Sequence, residues 1–273
     1  MQIILSADDL GRSLERNKAV EKAFCQGLIK SAAIMIATPY TEDGVRRMSD
    51  CDGGKWLSQI HLHFNLAGGV VGDDSVPSSE RFASCNAFCE NGCFRDYFDR
   101  NKYNYSSLKY AGLVLEELQA QYDKFKMLTL GRANYKHVDF HLWQNLFLPV
   151  SKAFGEFTSR NGISSVRYIG QHHLHNLNAR KYLAHNLMAQ ALSYRCSVKR
   201  YKSCNIDYFL TNIERFKNDE IIELYCHPDI IEGKLYDNSV SYFGHPKVQL
   251  EEHVQKIDDV VGGCEFISWS DII

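Results

Sequence analysis

The sequence predicts an α/β fold, a parallel sheet with crossover helices, either open or closed into a barrel. Three observations carry this. Short apolar runs bounded by turn residues alternate with segments of helical period along most of the 273 residues. No Pro/Gly/Ser-rich linker divides the helices, so a single domain over residues 1–273 is expected. Asp and His cluster at the ends of the apolar runs, where parallel α/β folds bind their ligands.

Residues 2–6 (QIILS) read as a buried strand that Ala7-Asp8-Asp9-Leu10-Gly11 breaks. A helix is expected from Ser13, with Ala19, Val20, Ala23 and Phe24 at helical spacing and Gly27 as its stop. Residues 31–37 (SAAIMIA) form a second strand, ended by Thr38-Pro39, and a helix follows over 41–50. After the Gly53-Gly54 break, a third strand spans about 58–66 (SQIHLHFNL). Residues 67–105 are rich in Gly, Ser, Asn, Cys and aromatics without a sustained period, which points to a lid or insertion. From Leu108 the helical period is strong, through Ala111, Leu115, Leu118, Tyr122 and Phe125. Next come a strand at 135–141 (YKHVDFH), a helix at 146–160 and a strand at 164–169 (SSVRYI). A helix at 178–194 and a weaker strand near 206–210 are followed by a strand at 220–226 (EIIELYC). The last helix, 246–261, sets Leu250, Val254, Ile257 and Val261 on one face, and 264–269 (CEFISW) is a terminal strand.

Composition bounds the function. With 45% hydrophobic and 23% charged residues, the chain is neither disordered nor fibrous, and roughly three quarters of its unfolded surface can be buried. A net charge of -2 gives no electrostatic reason for a nucleic-acid or anionic-membrane partner. Nine cysteines with no C-x-x-C pair speak against a disulfide framework and a zinc ribbon, and fit a reducing, cytoplasmic compartment. The N-terminus lacks a basic region, its apolar run is three residues, and no 18-residue apolar stretch occurs, so neither a signal peptide nor a membrane span is expected.

The chemistry gathers in four places: Asp8-Asp9, His61/His63, His137/Asp139/His141 and His227. Residues two apart on a strand share a face, so the histidine groups are one-sided. Adjacent carboxylates in a dry cleft call for a nearby cation. A divalent metal held by one Asp and two His meets that demand and leaves the other Asp free as a general base. Elsewhere the plainer reading prevails. Asp73-Asp74 and Asp258-Asp259 read as turns or caps, and Cys85, Cys89 and Cys93 as small-residue packing. His172, His173 and His175 read as solvated or substrate-lining, and Lys199, Arg200 and Lys202 as a solvated face. Arg167 binds either substrate or an Asp; an ion pair is an equal alternative.

At these residues the sequence resembles the YdjC-like carbohydrate deacetylases, the family of chitooligosaccharide and hopanoid-sugar deacetylases. The resemblance rests on ADDLG, HFNLAGG, HVDFH with a proline at 149, and CHPDI at 226–230, in that order. It includes the helix carrying Leu118-Gln119-Ala120-Gln121 and covers nearly the whole chain. It implies a distorted, seven-stranded (β/α) barrel with one divalent metal, Mg or Zn, on one Asp and two His. By position, Asp9, His63 and His141 would be the ligands, Asp8 the general base and His227 the general acid. Asp139 would orient a histidine, with His61 as a neighbour. The substrate implied is an N-acetylated sugar, with acetate as a product and a homodimer as the assembly. Aromatics at 82–105 (Phe82, Phe88, Phe94, Tyr97, Phe98) and Trp143 would stack on sugar rings or fill the core. Family members commonly continue Asp-Ser-His-x-His-x-His, whereas here Trp143 and Asn145 replace the later histidines, which implies a different sugar. Two rivals remain open: a catalytically silent sugar-binding homologue, and another metallohydrolase on the same scaffold.

Overall fold

The structure, a computed structural model, describes residues 1–68, 75–96, 107–169, 198–239 and 247–272, together with 183 and 186. Seven parallel strands close a barrel: β1 (Gln2–Leu10), β2 (Ser31–Ile34), β3 (Ile60–Phe64), β6 (Asn134–Phe140), β7 (Ser165–Ile169), β8 (Lys199–Asn205) and β9 (Ile221–Cys226). Closure comes from β9 pairing back onto β1 between Gln2↔Ile221 and Ala7↔Cys226. A short strand, β13 (Glu265–Ile267), adds beside the start of β1. Between β3 and β6 lies a two-stranded hairpin of β4 (Cys89–Glu90) and β5 (Cys93–Phe94). After β9 comes a three-stranded antiparallel sheet of β10 (Pro228–Ile231), β11 (Lys234–Asp237) and β12 (Val248–Gln249).

Strand parity explains where the core sits. Ile3, Leu5 and Ala7 of β1 pack outward with Ile60, Leu62 and Phe64 of β3, Val138 and Phe140 of β6, and Ile222, Leu224 and Cys226 of β9. That outer layer is covered by helices, notably α1 (Leu14–Cys25), α2 (Thr41–Asp50), α4 (Ala111–Leu128) and α5 (Leu148–Asn161). The opposite parity, from Ser6 and Asp8 through His61, His63, His137, Asp139, Ser165, Arg167, Ser203 and Glu223, is buried as well. A barrel interior this polar must be satisfied from within. Its floor is apolar, built by Ile4, Tyr201, Ile267 and a fully buried Trp269.

The helices begin and end where their caps dictate. Ser13 Oγ accepts the Arg16 N–H at the start of α1, and Gly162 and Gly262 end α5 and α7 (Leu250–Val261) in left-handed conformation. Two local expectations are corrected. Residues 7–10 do not break the first strand but continue it, through an irregularity between Ala7 and Leu10. Residues 206–210 are helical, not extended: α6 (Ile206–Thr211) starts at Asn205, whose side chain accepts the Tyr208 N–H. The strand is instead the preceding KRYKSCN, where Tyr201 and Ser203 are buried and Lys202 reaches Glu220 at 2.6 Å. The expected helix at 178–194, apart from Leu183 and Asn186, and the histidines His172, His173 and His175, together with Tyr97 and Phe98, lie outside the described residues.

Within 67–105, Gly68 N–H donates to Arg95 O, which ties the chain just after β3 to the end of the described stretch 75–96. Phe82 and Phe88 are fully buried and stack at 5.0 Å, with Phe94 edge-on to Phe82. These three aromatics are core, not a sugar platform. The start of α3 (Glu80–Ala83), which carries Phe82, is tied to α4 by Glu117, which accepts the N–H groups of Ser78 and Ser79 at 2.9 and 2.7 Å. Among the described residues, no helix is long and apolar enough to cross a membrane.

Burial pushes the Glu117 carboxyl from its ordinary 4.5 up to about 7, although Ser78, Gln121 and Ser79 donate to it. A carboxyl raised on folding keeps its proton longer in the native state, so the native state loses stability as pH rises from about 4.5 to 7. The displacement corresponds to about 3 kcal/mol. Glu117→Gln carries no such titration. Its stability relative to the parent should therefore improve by about 3 kcal/mol between pH 4.5 and 7.5, measured by urea unfolding. A pH-independent difference would refute the assignment.

The turn after β1 needs glycine. Gly11 has φ +90°, and a Cβ there would lie 2.7 Å from Met35 O. Its N–H donates to Asn17 Oδ1 at 2.6 Å, anchoring the end of β1 on α1. Gly11→Ala should lose at least about 2 kcal/mol in urea unfolding, because neither the backbone angle nor the carbonyl can yield cheaply. An unchanged midpoint would sink this reading.

Candidate metal centre

Alternation along β1 would turn Asp8 inward and Asp9 outward. Asp9 instead adopts φ 67° at the irregularity, and both carboxylates end up buried at the mouth. Asp9 Oδ2 accepts from Arg12 Nη1 at 3.1 Å. Asp9 Oδ1 accepts no hydrogen bond; it lies 2.9 Å from His141 Nδ1 and 3.6 Å from His63 Nε2. Metal bonds of about 2.0–2.2 Å place neighbouring ligand atoms about 3.0–3.5 Å apart, close to these separations.

His63 is fixed from behind. Its Nδ1 donates to Asp139 Oδ1 at 2.6 Å, which turns Nε2 toward Asp9. Chain position after β3 is set by amide clamps: Gln121 bonds both N–H and carbonyl of Asn65, and Gln144 Oε1 accepts the Leu66 N–H at 2.7 Å. His141 directly follows β6, and the backbone turns sharply after it, with Leu142 and Trp143 both left-handed at φ 52° and 54°. Non-glycine residues hold that conformation at a cost of about 1–3 kcal/mol each.

The electrostatics favour a cation. Burial pulls His63 down, yet the charges of Asp139, Asp9 and Asp8 raise it to about 10. Asp9 moves well below the usual carboxylate range, because His141, His63 and His227 outweigh burial.

Among the described residues, three groups of side chains have ligand atoms close enough to share a metal: Asp9/His63/His141, Asp8/His63/Asp139, and His61/His137/Asp139/Glu223. Arg167 decides among them. Its guanidinium forks onto Asp8 at 2.6 and 2.7 Å, onto Glu223 at 2.9 and 2.8 Å, and reaches Asp139 Oδ2 at 2.8 Å. Its pKa is held well above the ordinary value against burial by those three carboxylates. The second and third groups therefore already contain a permanent cation on their carboxylates. Only Asp9/His63/His141 offers oxygen and nitrogen donors without one on the oxygen that faces them, so those residues fit a divalent ion.

The other expected residues fall around this centre. His61 Nε2 lies 3.5 Å from Asp139 Oδ2, below His63. His137 bonds Ser165 Oγ at 2.8 Å and stacks on Trp269 at 3.6 Å; burial and the neighbouring His61 keep it neutral, so it belongs to the floor. His227 follows β9 on the opposite wall, its Nε2 3.9 Å from Asp9 Oδ2. Burial lowers its pKa, with Asp9 and Asp8 opposing. Trp143 is half-buried with its ring 6.3 Å from Tyr225, and Tyr225 lies 6.0 Å from His227 and over the Arg167 guanidinium. Asn145 is buried, and its carbonyl accepts from Ser151 Oγ at 2.6 Å, at the start of α5.

Sequence reasoning missed Glu223, Asp237 and Ser239. Glu223 had a usable signal, a carboxylate inside the apolar run EIIELYC, where an unpaired charge is costly. Asp237 and Ser239 had none, because only the fold-back of β11 brings them to His227.

With this geometry established, comparison with known proteins gives consistent likenesses. A family model described as YdjC-like protein matches residues 2–252. Carbohydrate deacetylases of Vibrio cholerae serotype O1, from strains M66-2 and ATCC 39315 / El Tor Inaba N16961, are each 23% identical over 258 residues, covering 92% of this chain and 86% of theirs. The crystal structure of a protein described as a cellobiose-phosphate cleavage protein, from Enterococcus faecalis V583, superimposes with a TM-score of 0.68. It is 15% identical, and the match covers 99% of this chain and 98% of that one. This second likeness bears on the fold.

Proposed function

The chain belongs to the YdjC-like family, and on that footing we propose that it is a metal-dependent carbohydrate deacetylase, hydrolysing the N-acetyl group of an amino sugar or N-acetylated oligosaccharide. The observation that carries this reading is the buried Asp9/His63/His141 group, open to a cation, with Asp8 and His227 beside it. The name shared by the Vibrio relatives supports the sugar amide as substrate.

Asp9, His63 and His141 would hold one divalent ion, Mg or Zn, which supplies Lewis-acid polarisation of the acetyl carbonyl. The chain's own residues do the rest. Asp139 keeps His63 in the tautomer that presents Nε2 to the centre. Arg167 holds the Asp8 carboxylate in one orientation, so that Asp8 takes the proton of the attacking water. His227, across the mouth, gives a proton from Nε2 to the sugar nitrogen as the C–N bond breaks. Acetate and a free amine result. Trp143, lifted to the mouth by its left-handed backbone, offers an aromatic face to a sugar ring. The excursion over 67–105, which leaves the barrel beyond His63 and of which residues 75–96 are described, would serve as a lid.

Acetate release from a panel of N-acetylated mono- and oligosaccharides, with and without chelator, tests the reading. Release from at least one sugar, lost on chelation and restored by Mg or Zn, is expected. Sugar binding without release would make the protein a silent binder, and release indifferent to chelation would remove the metal.

A further inference from the structure

A histidine that gives a proton to a leaving nitrogen must carry it on the ring nitrogen facing the substrate, and the partner of the other nitrogen decides which one that is. His227 Nδ1 lies 2.9 Å from Ser239 Oγ. The single Ser239 hydroxyl proton goes to Asp237 Oδ1 at 2.6 Å, because a carboxylate only accepts. Ser239 therefore meets His227 with a lone pair. Nδ1–H is the donor, and Nε2, turned toward Asp9, is the nitrogen that gains and loses the proton.

The same Asp237 oxygen also accepts the backbone N–H groups of His227 and Ser239, each at 2.9 Å. Such an arrangement needs residues ten and twelve positions after His227 to return to it. The hairpin appended to the barrel does this: β10 and β11 pair with Pro228 opposite Asp237, and Asn238 N–H closes onto His227 O at 3.0 Å. Asp237 and Ser239 are buried. Behind them, His253 of α7 faces Asp237 Oδ2 at 3.7 Å and Asp207 of α6 at 3.4 Å, a brace reaching the surface.

We propose that Asp237 and Ser239 are positioning residues that lock His227 in the Nδ1–H tautomer, and that the β10–β11 hairpin is present in this barrel to deliver them. The proposal rests on the reading of His227 as proton donor. When the Nε2–H bond breaks, the proton passes to the sugar nitrogen and the electron pair stays on Nε2, while Nδ1–H remains bonded to Ser239.

Long-range 1H–15N spectra of histidine-labelled protein, loaded with zinc and stripped of it, report the tautomer directly; His227→Gln assigns the signal by its disappearance. The wild type should show protonated Nδ1 and bare Nε2 on His227. Ser239→Ala should give mixed tautomers, with kcat for acetate release down about 10- to 100-fold and KM within about twofold. Ser239→Thr, which keeps the hydroxyl, should restore both. A wild-type Nε2–H tautomer overturns the proposal, and that spectrum needs no variant to fold. So does Ser239→Ala with unchanged tautomer and kcat while His227→Gln is inactive. Full activity in His227→Gln overturns instead the role of His227 on which the proposal rests.

Discussion

Replacing Arg167 with Met is expected to remove about 3–5 kcal/mol of folding stability and to slow acetate release more than a hundredfold. The reason is the arrangement in the barrel interior. One guanidinium serves carboxylates from three other strands: Asp8 of β1, Asp139 of β6 and Glu223 of β9. All four side chains are shielded from water. Burying such charges is unfavourable in itself, and mutual pairing offsets the penalty only while every partner is present. Methionine fills much of the volume but leaves three carboxylates facing one another. Two consequences should separate in Arg167→Lys. The ammonium restores one charge, so most of the stability should return in urea unfolding. It cannot reproduce the fork that fixes both oxygens of Asp8, so acetate release should stay about tenfold or more below the wild type. Wild-type stability in Arg167→Met would show that the carboxylates are neutral or otherwise paired, and the assignment of a permanent cation there would fall.

Parts of this interior were legible in advance, for reasons that can be stated residue by residue. The i, i+2 spacing of His61/His63 and of His137/Asp139/His141 follows from strand geometry, and parity alone directs each group to one face. The outer apolar layer was legible on the same ground, since Ile3, Leu5 and Ala7 of β1, Ile60, Leu62 and Phe64 of β3, and Val138 and Phe140 of β6 recur at every second position as outward core residues. The position of Asp9 was not, because parity assigns it to the wrong face, and only the left-handed kink at φ 67° corrects this. The family resemblance named Asp9 where periodicity could not. Residues 206–210 were misread as a strand because a five-residue, mostly apolar stretch, IDYFL, has no period long enough to separate helix from strand. The deciding feature was one residue earlier, in the Asn205 cap. Phe82, Phe88 and Phe94 could not be divided between core and substrate from sequence, since aromatic residues serve both; packing assigns them to the core. The hairpin that carries Asp237 back to His227 left no trace in local pattern, because its function depends on a contact between residues ten positions apart.

Asp8→Asn and Asp9→Asn should fail in different ways, and the contrast tests the assignment of roles within this adjacent pair. Both side chains are buried, so exposure cannot tell them apart; their partners can. Both Asp8 oxygens are bonded to Arg167, whereas Asp9 presents Oδ1 to His63 and His141. Asp8→Asn removes the proton acceptor and leaves the three donors intact. It should still bind one metal ion per chain by elemental analysis, while acetate release falls by about 10²–10⁴. Asp9→Asn replaces an anionic donor by a neutral amide and should lose the ion, with metal affinity lowered at least tenfold and activity lost in proportion. Excess metal should then recover part of the activity of Asp9→Asn and none of that of Asp8→Asn. The reverse pattern would move the metal onto the Asp8/His63/Asp139 group. Arg167 would then have to leave Asp8 and Asp139 to make room, because a guanidinium and a divalent ion cannot share the same two carboxylate edges without strong repulsion.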